Sequence, residues 1–292
     1  MRRRIGWMKV AAVILLLASS LAGADKMWKD ASVQVGDIKT HYLEGGTGDR
    51  HLIFIPDLAM AAEVWKEQIP YFAARGFHVF AIDPRSQGST TRTETGNTYE
   101  QQAADLHAFL EKMKLEHCTL IGWAAGAVAL LEYVSSPETL KPDALVFVDE
   151  VPLTFNNPDY PVGLTVQQIR ARALAMEDDR AKATEAFVNG LFKSKQNGQV
   201  YKDLSDGSMK TPTGTAIALL FDLITGDRRP ALTSIVVPTL IVVPEDRQLF
   251  GAYMQSKIAG SHLSVIPDVG RALFLEKPQA FNQALEDFLG KQ

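Results

Sequence analysis

The spacing in this chain that best announces chemistry lacks its reagent. Leu120-Ile121-Gly122-Trp123-Ala124-Ala125-Gly126-Ala127 follows a short apolar run and precedes an apolar helical pattern, so it reads as strand, very sharp turn, helix. Gly122 and Gly126 bracket a central residue in the G-x-S-x-G spacing, which lifts a nucleophilic serine on a strained turn against a helix N-terminus. The central residue here is Ala124, and a methyl group attacks nothing. The remaining candidates are acids: Asp149 and Glu150 close one apolar run, and Asp246 follows another. Each reads equally well as a solvated or loop-capping acid.

The six histidines, His41, His51, His78, His107, His117 and His262, fall in or beside strand and helix patterns. They are expected away from the loops that follow the strands, as structural or surface residues. Cys118 is the only cysteine, which excludes an intrachain disulfide and a cysteine metal cluster. It sits in an apolar run and reads as a small buried hydrophobe. No histidine–carboxylate pattern suggests a metal. The loop Asp83-Pro84-Arg85-Ser86-Gln87-Gly88-Ser89 does not follow a phosphate-binding pattern, and Gly122 to Gly126 is too short for a dinucleotide fingerprint. No cofactor is implied.

The elements that must position these residues are legible as an alternation. Ser32–Val35 and Ile38–Leu43 read as strands joined at Gly36-Asp37. Further strands are expected at 51–55, 77–82, 117–121, 144–148, 239–243 and 262–266. Helical spacing is expected at 62–74, 99–113, 127–134, 248–258 and a closing segment with Phe281, Leu285, Phe288 and Leu289 on one face. Strands alternating with helices imply a mostly parallel sheet covered on both sides, with the ligand crevice beyond the C-terminal strand ends. Between 151 and 229 the rhythm changes to helix alone. There Thr165–Met176 and Asp178–Phe192 are expected helices. Thr211 is expected to cap a third, with Pro212 in its first turn. On that helix Ile217, Leu220, Phe221 and Ile224 share a face. Such an insertion predicts a cap over the sheet edge.

The chain's 292 residues, 46% of them hydrophobic, suit one larger α/β domain. A net charge of −4 suggests no nucleic-acid partner. Residues 1–24 read as an export signal: Arg2, Arg3, Arg4 and Lys9 precede the apolar run Val10–Leu21, and Ala22-Gly23-Ala24 offers a small-residue cleavage site. Its removal takes the charge to −8 and leaves 25–292 as the mature domain. The apolar run is short for a span of roughly 20 residues, so no membrane association is expected after cleavage. A periplasmic or secreted location follows, with oligomeric state open.

Four segments together resemble the α/β-hydrolase superfamily, in particular exported, capped esterase- or haloperoxidase-like members. They are the Gly122–Gly126 turn, Asp83–Ser89, Pro238-Thr239-Leu240-Ile241-Val242-Val243, and Val269-Gly270-Arg271-Ala272-Leu273-Phe274 with Pro278 and Phe281. The resemblance implies the α/β-hydrolase fold, with a helical cap at about 151–229. It also implies roles that this chain fills oddly. Ala124 stands at the nucleophile position. Arg271 stands where relatives carry the histidine base, and a guanidinium stays protonated at any usable pH. The triad acid is Asp149 by the simpler register, or Asp246, next to a slot that strict counting gives to Arg247. The oxyanion hole would use the amides of Ala125 and Leu58. Asp57 replaces a glycine there, in a position to oppose a developing oxyanion or to face solvent. Trp123 flanks the nucleophile position as a ligand contact.

Three readings follow. The first is a pseudoenzyme that binds a small amphipathic carboxylate or ester-like ligand, its anionic end on Arg271 and the free amides at the helix N-terminus. Its structural alternative is Arg271 locked to Asp149 or Asp246 in a vestigial site. The second is a lyase, isomerase or cofactor-free oxygen-reacting enzyme working through Asp149 or Glu150. The third is a hydrolase of atypical mechanism.

Overall fold

The computed structural model describes residues 28–150, 152–155 and 163–291. The export signal expected at 1–24 lies outside the described residues. Eight strands form one sheet in the order β1-β2-β4-β3-β5-β6-β7-β8. They are β1 (Lys29–Val35), β2 (Ile38–Gly45), β3 (Arg50–Ile55), β4 (Phe77–Ile82), β5 (Cys118–Trp123), β6 (Ala144–Val148), β7 (Thr239–Pro244) and β8 (His262–Ile266). β1 and β2 form a hairpin at Gly36-Asp37, and β2 runs antiparallel to β4. Every pairing from β4 through β8 is parallel.

The central strands are apolar on both faces because helices cover both. Leu52 and Phe54 of β3 face one core with Trp65, Phe274 and Phe281. Ile53 and Ile55 face the other with Phe109, Leu130 and Phe147. The helices are α1 (Gln68–Ala73), α2 (Tyr99–Met113), α3 (Ala125–Ser135), α4 (Val166–Asp178), α5 (Arg180–Asn189), α6 (Gly198–Met209), α7 (Thr213–Thr225), α8 (Arg229–Leu232), α9 (Gln248–Lys257), α10 (Leu273–Glu276) and α11 (Pro278–Leu289). Helices α4 to α8 lie between β6 and β7, where the sequence pattern places an insertion.

Four local expectations need correction. The segment 62–74 is a 3₁₀ turn at Ala62–Trp65 followed by the short α1, since Pro70 removes a donor from a continuous helix. Helix α6 is present although its Gly198 and Gly207 weaken the helical signal. Thr211 does not cap α7: Pro212 holds the N-cap position, with no side-chain cap, and the buried Thr211 hydroxyl has no partner. On α7 the buried stripe is Ala216, Leu219, Leu220 and Ile224, while Phe221 is 49% exposed.

Candidate functional site

The turn between β5 and α3 is as sharp as its glycines allow. A Cβ at Gly122 would lie 2.5 Å from the Ala127 amide nitrogen, and one at Gly126 would lie 2.5 Å from the Ile55 carbonyl oxygen. That contact seats the first turn of α3 against the end of β3. Ala124 sits at φ 45°, ψ −112°, a conformation that L residues rarely adopt. Its amide donates to Val148 O at 2.8 Å, and its carbonyl accepts from Ala127 N at 2.8 Å. The strained turn expected at a nucleophile position is therefore present, and the side chain it carries is a methyl group.

Asp57 follows β3 in Pro56-Asp57-Leu58 and is 4% exposed. Its Oδ1 accepts from the Leu58 amide at 2.7 Å and from the Ala125 amide at 3.0 Å. These are the two amides expected to form an oxyanion hole. One carboxylate oxygen of the protein itself occupies the place between them. Asp57 thus does not face solvent, and the positive φ in this loop belongs to Ala59, at 56°. Burial pushes the Asp57 carboxyl up, opposed by Arg271 and the two amides.

Asp149 ends β6 at φ 52°, with its amide bonded to Val242 O. Its side chain is fully buried between two guanidiniums. Arg271 Nε donates to Oδ2 at 2.7 Å, and Arg247 Nε lies 2.8 Å from Oδ1 at an angle too poor for a hydrogen bond. Arg271 Nη2 is also 3.8 Å from Asp57 Oδ2. Burial pushes the Asp149 carboxyl up, and the two cations oppose it. Arg271 loses solvation but is held charged, above its ordinary value, by Asp149 and Asp57. The structure thus brings Asp149 to Arg271. Asp246 is exposed in the 3₁₀ turn Glu245–Arg247 and does not line the cavity. The anion-free Arg271 and open amides expected at the floor are both filled from within.

The family whose model matches residues 52–284 is described as the alpha/beta hydrolase family. The chain belongs to the alpha/beta hydrolase family. It is 23% identical over 223 residues to a non-heme chloroperoxidase of Burkholderia pyrrocinia, covering 73% of this chain and 80% of that protein. It is 24% identical over 274 residues to the human serine hydrolase BPHL, covering 89% of this chain and 86% of that protein. Its fold superimposes on an esterase from Exiguobacterium antarcticum with a TM-score of 0.85, at 22% identity, covering 90% of this chain and all of the other.

Other residues singled out from the sequence fall differently in this alpha/beta hydrolase. Trp123 does not line the cavity. It is fully buried, and its Nε1 donates to the Arg271 carbonyl at 3.1 Å, so it positions the Arg271 loop from below. Glu276 holds the same loop from the other side: its carboxylate accepts from the Gly270 and Ser194 amides at 2.7 and 2.8 Å. One histidine departs from expectation. His41 reaches a C-terminal loop after all, with Nδ1 2.7 Å from Asp83, and is buried there. No histidine lines the cavity among the described residues.

Above the strand ends, between the sheet and α4 to α7, lies a cavity of about 590 Å³, within the roughly 300–1,000 Å³ of small-molecule sites. Ala124, Ala125, Asp57, Asp149, Glu150 and Arg271 form its sheet side. Met176, Phe187, Leu220 and Phe250 contribute apolar wall. Glu150 is 3% exposed, and its Oε1 has no partner. Burial, Asp57 and Asp149 push its carboxyl well above the ordinary range, toward the neutral acid. Two further guanidiniums, Arg172 and Arg180, line the cavity from the insertion. Sequence reading passed over them because arginines on helices normally face solvent; nothing in their spacing marked them out.

Proposed function

We propose that this alpha/beta hydrolase is a non-hydrolytic member that binds a small amphipathic ligand in its cavity. The observation that carries the reading is Asp57 Oδ1 between the Leu58 and Ala125 amides. An oxyanion hole works by meeting charge that develops during reaction. Here a carboxylate already holds both donors and opposes a second negative oxygen in the same place. Ala124 offers no nucleophile, and Arg271, paired with Asp149, offers no base. The helices α4 to α7 act as a cap that encloses the ligand. The signal at the N-terminus would place the mature protein in the periplasm or outside the cell, and the cap and pocket work there without a cofactor.

The test has two arms on the mature chain. Turnover of p-nitrophenyl butyrate should equal the buffer rate. Binding of 1-octanol, followed by thermal shift and calorimetry, should be saturable. Ester turnover abolished by Asp149→Asn would overturn the non-hydrolytic part, and absence of saturable 1-octanol binding would overturn the ligand part.

Glu150 favours a second reading, an acid–base enzyme of this fold. It is a buried carboxyl lining the cavity, one oxygen of which has no partner, and burial pushes its pKa well above the ordinary carboxylate range. Exchange of a bound carbonyl compound's α-protons with D₂O, lost in Glu150→Gln, would support it; equal exchange in both would remove it.

A further inference from the structure

We infer that Arg172 and Arg180 form the anion-receiving end of the cavity, and that the ligand is a monocarboxylate with an apolar tail. The inference deepens the ligand-binding reading above and rests on it.

The argument begins from an imbalance of partners. Among the described residues, four guanidiniums line the cavity, those of Arg172, Arg180, Arg247 and Arg271, with three carboxyls, Asp57, Asp149 and Glu150. Arg247 and Arg271 share Asp149. Asp57 Oδ1 is held by two amides, and its Oδ2 faces Arg271 at 3.8 Å. Glu150 is driven toward its neutral form by burial and by the other two acids. Among the described residues, no lining carboxylate remains for Arg172 and Arg180.

Arg180 is part-buried and, among the described residues, meets only neutral oxygens. Its Nη1 donates to Thr184 Oγ1 at 3.0 Å, and its Nη2 lies 3.3 and 3.4 Å from the carbonyl and hydroxyl of Ser208. Its Nε is buried and has no partner. Arg172 is an exposed residue that lines the cavity, and it makes no hydrogen bond or ion pair among the described residues. Burial and the charge of Arg271 both pull its pKa below the ordinary value. A guanidinium that is partly desolvated and unpaired gains most from an anion that it can meet with two parallel N–H donors.

The rest of the lining selects the anion. Met176, Phe187, Leu220 and Leu223 favour an apolar body. Asp57 and Asp149 in the same cavity repel a dianion, which argues against a phosphate monoester. A single carboxylate at the insertion end, with its tail between cap and sheet, satisfies both conditions. The anion therefore meets Arg172 and Arg180 rather than Arg271, the position expected from the sequence, whose guanidinium is already held by Asp149.

The experiment compares octanoate with 1-octanol on the mature wild type, Arg172→Gln, Arg180→Gln and Arg180→Lys, by calorimetry at two salt concentrations. Wild type should bind octanoate about tenfold or more tighter than 1-octanol, since a charge-assisted contact of this kind commonly has that weight. The preference should shrink in high salt and fall toward unity in Arg172→Gln and Arg180→Gln, while 1-octanol binding stays unchanged. Arg180→Lys should retain part of it. Unchanged 1-octanol affinity also certifies that each variant has kept its cavity. Equal affinity of the wild type for the two probes, or an octanoate preference untouched in Arg172→Gln, would overturn the inference and leave ligand binding standing. Failure of both probes to bind the wild type would overturn the ligand-binding reading, and this inference with it.

Discussion

Asp57 Oδ1 accepts a hydrogen bond from the amide of Ala125 at 3.0 Å, across 68 residues of sequence. That contact joins the end of β3 to the first turn of α3 and gives the helix N-terminus an anion of its own. On the non-hydrolytic reading proposed above, three positions, 57, 124 and 271, stand against ester cleavage rather than one.

Restoring a nucleophile alone should therefore fail. Ala124→Ser is expected to leave p-nitrophenyl butyrate turnover at background. Adding Asp57→Gly and Arg271→His frees the two amides and supplies a base beside Asp149. Because a single oxyanion donor is commonly worth about 10²–10³ in rate, the triple variant should exceed Ala124→Ser by at least about 100-fold. Initial-rate assays on the three proteins check this; equal rates would show that position 57 is not the obstacle.

The two candidate acids should separate cleanly in stability. Asp149→Asn leaves the guanidiniums of Arg247 and Arg271 without their shared anion. Breaking a fully buried pair costs roughly 3–5 kcal/mol. Both arginines keep some contact with water, so about 2–3 kcal/mol is expected here. Asp246→Asn, on the exposed side of the same turn, should stay within about 0.5 kcal/mol. Urea unfolding of each variant against wild type measures the difference.

Alkaline pH should weaken the fold through His41. Burial alone would lower its pKa, but hydrogen bonds and charge from Asp83 and Asp30 outweigh it and raise it to about 9 from 6.5. The folded state thus holds the proton more tightly than the unfolded state. The stabilisation is complete below about pH 6.5 and is lost as pH rises through 9. Urea midpoints at pH 6, 8 and 10 should fall along that series in wild type and less steeply in His41→Gln.

The strain at Ala124 should be removable without penalty to this protein. With φ 45° and ψ −112°, the alanine carries a steric cost of order 1–3 kcal/mol. Ala124→Gly relieves it, offset by the greater freedom of glycine when unfolded. A net gain of about 1 kcal/mol is expected, seen as a higher Tm by calorimetry. A lower Tm would show that the Ala124 methyl packs better than its backbone suffers.

The sheet was legible because its strands are uninterrupted apolar runs bounded by loops, as in Leu52–Ile55 and Leu145–Val148, and because Gly122 and Gly126 mark one sharp turn. The closing helix was legible because Phe281, Leu285, Phe288 and Leu289 repeat at helical spacing, and all four are buried. The start of α7 was misread because Thr211 followed by proline is also what a loop entering a helix looks like. Of the site, the pairing of Asp149 with Arg271 could be anticipated from register. The destination of the Asp57 side chain could not, since an aspartate one residue before an amide can turn outward or inward with equal ease. Arg172 and Arg180 gave no signal, because a cation acquires meaning only when tertiary packing removes the acids around it.

The bend at residue 124 is enforced by Gly122, Gly126 and the atoms pressed against them, so its shape does not depend on which small side chain it presents. The sole native thiol, Cys118, is buried and shifted up to about 12. A cysteine introduced at 124 would accordingly be the single reactive handle in the molecule. Tethered maleimides or spin labels placed there would look straight into the chamber, making this scaffold a convenient mount for chemical attachment.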